Sequence, residues 1–514
     1  MFRFRKEVHD QVTFVAALIF GPNTLPKDVT FTEFSVSDTR DLGPGYRSNE
    51  LLNNVERMFE DEIKGPEGFA ILNGDLYTTL HGGYVAKVYD DQVIPVVKFG
   101  EQCEGWWEES KCGRPLGIKA VGNDLIVADS YYGIFKYNVK TKKANKLVDR
   151  DVVIDGKQAR TFNSVDVAKD GTIYWSHSSS HFTIEDGIFQ FLADGTGRLM
   201  KYDPKTNSNT VLMKDLFFAN GVLLSPNEDF VLVAESGHSR IHKYYLKGPK
   251  KFTNEIFIDG LPGVPDNLRA IGDDRLFVPL VTVKSEHSPV LFQTITHLPL
   301  LRKFCACFLS LLQTVLQKID TIYPHNYFKN GVHLIGHLES ISWAMPSNTS
   351  LLEVNWNGNI VRSYHGSDGS FPSLSDVMVH NGYLYLGSPL NKFLGRVQLT
   401  KLGEIIPDIE TEVSRGVKHS STQQSPQKPN TPPPTTTRPK TTSPPPTTTA
   451  RPRTTTPPPT TTRPRTTTPP PSPTTTKPKT SSPPSQQTAP PQRANTQPPV
   501  KNVAPSQAPE KPIR

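Results

Sequence analysis

The sequence predicts an all-β fold, a six-bladed β-propeller, and three observations carry that prediction. A degenerate unit recurs along residues 65–400, each copy reads as four short alternating strands, and the copies keep a common register. The clearest copies are LGIKAVGNDLIVADS from Leu116, NSVDVAKDGTIYWSHSS from Asn163 and NGVLLSPNEDFVLVAES from Asn220. Each places a polar turn between two alternating apolar runs, the signature of a β-hairpin. GIFKYNVKTKKANKLV and GRLMKYDPKTNSNTVLM repeat the strand–turn–strand pattern and complete four strands per unit. Weaker copies begin at Glu67, Asp266 and Ser375. The first core apolar residue of each unit is Phe69, Ile118, Val165, Val222, Leu268 and Val377, at intervals of 46 to 57 residues and then one of 109. An insertion with a helical-looking stretch over residues 300–319 accounts for the long interval. A pair of β-sandwiches would show no such register.

Ahead of the first unit, SNELLNNVERMFEDEIKG spaces Leu51, Leu52, Val55, Met58, Phe59 and Ile63 at helical intervals, with Ser48 as N-cap. That spacing predicts a short N-terminal helix leading into the propeller. Further upstream, Arg3, Arg5 and Lys6 precede a short apolar run over residues 12–20, the charge order of a secretory signal or an uncleaved signal-anchor. A buried element at the domain edge is the competing reading. The chain thus divides into a signal- or anchor-like segment with its lead-in helix (1–64), the propeller (65–400) and a tail (401–514). No uninterrupted run of 18 apolar residues occurs, so no ordinary membrane-spanning helix is expected. The mostly apolar stretch 304–316 is too short to span. It reads as a lid over a pocket, as a helix lying in a membrane interface, or as one packed on the propeller.

The tail separates itself by composition. Residues 421–514 hold 28 of the 47 prolines and 13 Lys or Arg against the single acid Glu510, a charge of +12. With +7 overall, residues 1–420 carry −5, so the basic balance belongs to the tail and the folded part offers no cationic footprint for nucleic acid. Four copies of a 12- to 13-residue Thr/Pro unit, such as TTTRPRTTTPPP, leave almost nothing apolar to bury. The expectation is a disordered, extended, polyproline-rich stalk of mucin-like, O-glycosylated composition. An unmodified cationic linker is the plainer reading.

Cys103 and Cys112 flank EGWWEESK, a loop short enough for a disulfide to close. Cys305 and Cys307 stand two apart in an apolar segment, where helical geometry points them away from each other, so both are expected as free or lipid-facing thiols. Asn348-Thr349-Ser350 is an N-glycosylation sequon.

The register also yields a candidate site. Two places before each anchor stand Glu67, Leu116, Asn163, Asn220, Asp266 and Ser375. In a propeller the innermost strands ring one axis, so equivalent side chains converge. Two carboxylates and two amides make an all-oxygen set suited to calcium, whereas zinc would favour His or Cys; Asn267 offers a fifth ligand. Asn, Asp and Gly also mark turns before strands. Four oxygen-bearing residues in register across separate repeats favour the metal.

The segments CGRPLGIKA, FANGVLLSPNEDFVLVAES, LPGVPDNLRA and HNGYLYLGS, in that order, resemble the strictosidine synthase-like family over roughly residues 40–400. The resemblance implies a six-bladed propeller with calcium on its axis, held by Glu67, Asn163, Asn220, Asp266 and Asn267, and a Cys103–Cys112 disulfide. An Asp commonly follows the third-unit Asn in that family. Here Ser164 stands there, which implies weaker calcium binding. The alkaloid-forming members use a Glu as acid/base where this chain has Ser375, and Asp376 is one residue out of phase, pointing to the other side of its strand. Strictosidine synthesis is therefore not expected.

Members that this chain most resembles imply arylesterase-like hydrolysis, in which calcium polarises an ester carbonyl. His81 and His177 follow strands of the first and third units and are the weak candidates for a base; each is more simply a surface or structural histidine. Two functions follow. One is a membrane-associated or secreted mucin-like glycoprotein with weak calcium-dependent ester hydrolysis. The other is a cell-surface adhesion or recognition protein whose calcium is structural. The expected partners are a small ester or similar molecule in the pocket, carbohydrate, lectin or other cell-surface partners through the tail, and a membrane surface. The expected location is the secretory pathway, then plasma membrane or extracellular space.

Overall fold

A computed structural model describes residues 2–403 except 41, 286 and 287. The Pro/Thr-rich tail, residues 404–514, lies outside the described residues. Within them, six antiparallel sheets of four or five strands follow one another around the molecule, together with one small hairpin. The first three run through consecutive strands from Phe69–Leu72, Pro115–Val121 and Phe162–Val167, and the fourth from Ala219–Leu224. The chain is a β-propeller whose sheets each start at the axis and step outwards.

Alternation explains the layering. In Ile173–His177 and Phe230–Glu235 nearly every side chain is buried, because each sheet is covered on both faces by its neighbours. The apolar clusters accordingly lie between sheets: Leu223, Leu232 and Ile241 of the fourth pack with Leu276, Val278 and Leu352 of the fifth. Inner strands approach so closely that a side chain would not fit at some positions. A Cβ at Gly117 would lie 2.6 Å from the Asn163 carbonyl, and one at Gly221 would lie 2.5 Å from that of Asp266.

Residues 48–65 do not form the expected helix. They make turns and the strand Glu56–Met58, which pairs with Leu394–Gln398 as the outer strand of the last sheet. Leu52, Val55, Met58 and Ile63 are buried as their spacing suggested, but against the first, fifth and sixth sheets. Tertiary pairing with an open sheet edge outweighs the local periodicity. The ring is also closed at its centre. The Phe69 amide donates to Asp376 Oδ2 (2.9 Å), while Arg269 Nε donates to Asp376 Oδ1 (3.0 Å) and its Nη2 to the Phe69 carbonyl (2.9 Å), tying the fifth, sixth and first sheets together.

Among the described residues five α-helices accompany the sheets: α1 (Phe2–Phe20), α2 (Glu109–Cys112), α3 (Gly187–Leu192), α4 (Pro299–Ile322) and α5 (Asn326–Gly336). The insertion interrupts the fifth sheet between Arg275–Val283 and Thr349–Asn355. At 24 residues, with a mean hydropathy of 1.4 in its most apolar 18-residue window, α4 is long and apolar enough to cross a membrane by length and composition. This corrects the expectation drawn from the 304–316 stretch: scattered Ser, Gln and Thr break the apolar run without ending the helix. Its Arg302 is fully buried and donates to the Leu192 carbonyl (2.9 Å), so one face is docked on the propeller. The opposite face leaves Leu300, Leu311 and Val315 exposed.

Candidate functional site

The inner strands of the second to fifth sheets are irregular at the residue picked out by the register, whereas those of the first and sixth pair without a shift. The ladder shifts between Pro115 and Ile118, between Phe162 and Val165, and between Ala219 and Val222, and the fifth sheet is interrupted between Gly263–Pro265 and Arg269–Ile271. A bulge re-aims the side chain it carries. Leu116, Asn163, Asn220 and Asp266 sit in those irregular stretches, and all of them, with Glu67, line one cavity of about 430 Å³ on the axis.

The polar floor of that cavity has oxygens to spare. Asn163 Nδ2 donates to Ser178 Oγ (3.1 Å) and Asn220 Nδ2 to Ser236 Oγ (3.3 Å), which turns each amide oxygen inwards. The Oδ1 atoms of Asn163, Asn220 and Asp266 are all buried with no hydrogen-bond partner among the described residues. Burial pushes the Glu67 carboxyl up to about 7, with Arg114 opposing and Glu109 adding to the rise. Burial, and then Glu67 itself, hold Asp266 well above the ordinary carboxylate range. Arg114 answers Glu67, but the partnerless Oδ1 atoms of Asp266, Asn163 and Asn220 remain beside it, and a hard divalent cation is the ligand that this donor set fits.

Asn267 and Ser164 do not share that cavity. They line a smaller one of about 110 Å³ bounded by Gly68, Gly117 and Asp376. Ser164 Oγ there accepts the Val222 amide (3.1 Å), a bridge between neighbouring inner strands. Ser375 is fully buried and its hydroxyl donates to the Glu67 carbonyl (3.1 Å), so it offers no acid or base to the cavity.

Neither histidine candidate reaches the floor. His177 is fully buried, bonded to the Ser179 carbonyl and to Arg198 Nε, and burial with the Arg198 charge pushes it down to about 3. His81 Nε2 lies 3.2 Å from Glu109 Oε1, and burial holds it well below its ordinary value. Three groups not singled out from the sequence do line the cavity: Glu109, Arg114 and His337. Arg114 bridges two carboxylates, with Nη2 3.2 Å from Glu67 and Nε 3.5 Å from Glu109. Burial raises Glu109, but His81, His337 and Arg114 together hold it below the usual range. His337 Nε2 stands 3.4 Å from Glu109 Oε2, while its Nδ1 accepts the Glu339 amide (3.2 Å). Arg114 stood in CGRPLGIKA; nothing local marked Glu109 or His337.

Above the floor the walls are apolar. Phe191 stacks on Phe218 (4.8 Å) and Phe292 (4.3 Å), and Leu301, Cys305 and Leu309 of α4 supply the roof. Cys305 and Cys307 are both free, as expected; Cys307 is buried within the protein, and Cys305 faces the cavity. The Cys103–Cys112 disulfide is formed.

Family models described as strictosidine synthase and strictosidine synthase-like, N-terminal, match residues 163–249 and 44–88. A Drosophila melanogaster protein named adipocyte plasma membrane-associated protein Hemomucin is 40% identical over 78% of this chain and 70% of its own length. The chain belongs to the strictosidine synthase-like family. Its vertebrate relatives include the adipocyte plasma membrane-associated protein of Gallus gallus, 32% identical over 68% of this chain and 79% of that one. Among solved structures, a gluconolactonase from Xanthomonas campestris matches at 13% identity and a TM-score of 0.42, covering 73% of this chain and 98% of that one. The calcium-binding protein regucalcin from Agrobacterium tumefaciens matches at 9% identity and 0.39, covering 66% and 92%.

Proposed function

We propose that this strictosidine synthase-like propeller is a calcium-dependent hydrolase of small apolar esters, of arylesterase type, working at a membrane or cell surface. The observation that carries the reading is the set of buried, partnerless Oδ1 atoms of Asn163, Asn220 and Asp266 beside Glu67, beneath apolar walls. Those four residues would hold the ion. When bound, calcium would polarise an ester carbonyl and stabilise the oxyanion that forms. The stacked Phe191, Phe218 and Phe292 would seat an apolar acyl or aryl group and exclude water. Arg114, between Glu67 and Glu109, keeps the floor's carboxylates in place.

The exposed apolar face of α4, with Leu300, Phe308, Leu311 and Val315, suits a helix lying in the plane of a membrane interface, roofing the cavity with its other face. Names of relatives that include plasma membrane-associated support that placement. A mucin-like tail and a glycan at Asn348, which is exposed just before the strand Thr349–Asn355, complete the proposal of a secretory-pathway glycoprotein.

A second reading, an adhesion or recognition protein whose calcium is structural, is favoured by one observation. His81 and His177 lie off the floor, and both ring nitrogens of His337 are engaged, so no histidine there offers a free lone pair to activate water. Aryl-ester hydrolysis by the full chain, in calcium and then in chelator, separates the two. Activity lost in chelator and in Asn220→Ala, with the fold intact, supports the hydrolase. A folded, calcium-loaded protein without activity supports the scaffold.

A further inference from the structure

Beside the axial cavity lies a second cluster with different donors. His333 and His337 are one turn apart at the end of α5, with ring centroids 4.4 Å apart, and Glu339 follows in a 3-10 turn over Leu338–Ala344. Each offers a ligand atom, and the three atoms lie within 4.8 Å of one another. The His333 side chain is only 1% exposed, yet neither of its ring nitrogens has a hydrogen-bond partner; Glu185 Oε1 stands 3.9 Å from Nδ1, beyond bonding reach. A buried imidazole with both nitrogens unanswered calls for a partner that the described residues do not supply.

We propose that His333, His337 and Glu339 bind a borderline divalent cation of the zinc class, which fixes the end of α5 and the turn after it beside the axial cavity. Two imidazoles and a carboxylate are zinc donors, whereas the all-oxygen floor is not. Ligation through His337 Nε2, beside Glu109 Oε2 at 3.4 Å, moves the ring proton to Nδ1, which then gives up the Glu339 amide it accepts without metal. Glu109 and Glu185 bring further negative charge from the other wall. Tetrahedral zinc holds its ligands about 3.4 Å apart, so the side chains draw in by about an ångström. Lys64 Nζ, 2.7 Å from Glu339 Oε2, competes for that carboxylate; it also lies 4.0 Å from the Trp106 ring, which retains it when the second carboxylate oxygen turns to the metal. Because His337, Leu338 and Ile341 line the cavity, the ion holds part of its roof.

The test uses the full chain, stripped with chelator and then kept in excess calcium, so that it is independent of the axial site. Cobalt(II) is added as a spectroscopic probe and zinc as its competitor. One equivalent of cobalt with the intense visible bands of a four-coordinate site, displaced by zinc and not by calcium, is expected. His333→Gln and His337→Gln each lower the affinity by at least about 100-fold, while Asn220→Ala leaves it unchanged. Cobalt that fails to bind the folded chain, or that both histidine variants retain, overturns the proposal. X-ray absorption of the zinc-loaded wild-type protein decides the matter if a variant does not fold: two imidazole ligands support the site, and an all-oxygen shell refutes it.

Discussion

Removing calcium makes the stability of this protein depend on pH in a direction set by Glu67. In chelated protein the folded state keeps a proton on Glu67 up to pH about 7, because burial raises that carboxyl from its ordinary 4.5. The unfolded chain releases the same proton near 4.5, so between these values the folded state binds more protons and stability falls as pH rises. At about 1.4 kcal/mol per pKa unit, the loss from pH 4.5 to pH 8 is about 3 kcal/mol, and Asp266 acts in the same sense. Calcium binds the ionised form and removes the penalty, adding about 2.7 kcal/mol at a concentration 100 times Kd. Urea unfolding at several pH values, with chelator and with calcium, measures this for wild type and Glu67→Gln. Gln keeps an acceptor for Arg114 without the charge. The variant in chelator loses that share of the pH slope and exceeds wild-type stability at pH 8. Equal slopes for variant and wild type would refute the argument.

Three further outcomes follow from the geometry. Asp376→Ala, which removes the acceptor of the Phe69 amide and the partner of Arg269, lowers stability by about 3 kcal/mol in chemical denaturation, since it leaves a partly buried guanidinium unpaired. Replacing Cys103 and Cys112 together by Ser lowers stability by up to about 3 kcal/mol, the closure entropy of so short a loop, measured by thermal unfolding of both proteins. Placing charge on the exposed face of α4, as in Leu311→Glu with Val315→Glu, abolishes co-flotation with phospholipid vesicles while leaving the circular dichroism unchanged.

The propeller was legible because its physics is local and repeated: period-two alternation around Gly, Asn and Asp turns recurs in register, and the anchors Phe69 to Val377 fall at or beside the innermost strands. The floor residues Glu67, Asn163, Asn220 and Asp266 were legible for the same reason. The bulges that aim them were not, since a ladder shift between Ala219 and Val222 leaves no compositional trace. Residues 48–65 misled because a helical spacing of apolar residues also suits a strand with turns once an open sheet edge is available. Glu109 and His337 meet only through the fold, 228 positions apart, one from the disulfide loop and one from the insertion. The length of α4 was obscured by the polar residues within it.

An ion held at the centre of the ring is common to the hydrolase and the scaffold. Isothermal titration of calcium into the chelated full chain at pH 8 tests it directly, with wild type beside Asp266→Asn and Asn220→Ala, each checked for its fold. One calcium per chain in wild type, with affinity lowered at least tenfold in both variants, is the predicted result. A folded wild-type protein that takes up no calcium, or variants that bind it as tightly, would contradict the account.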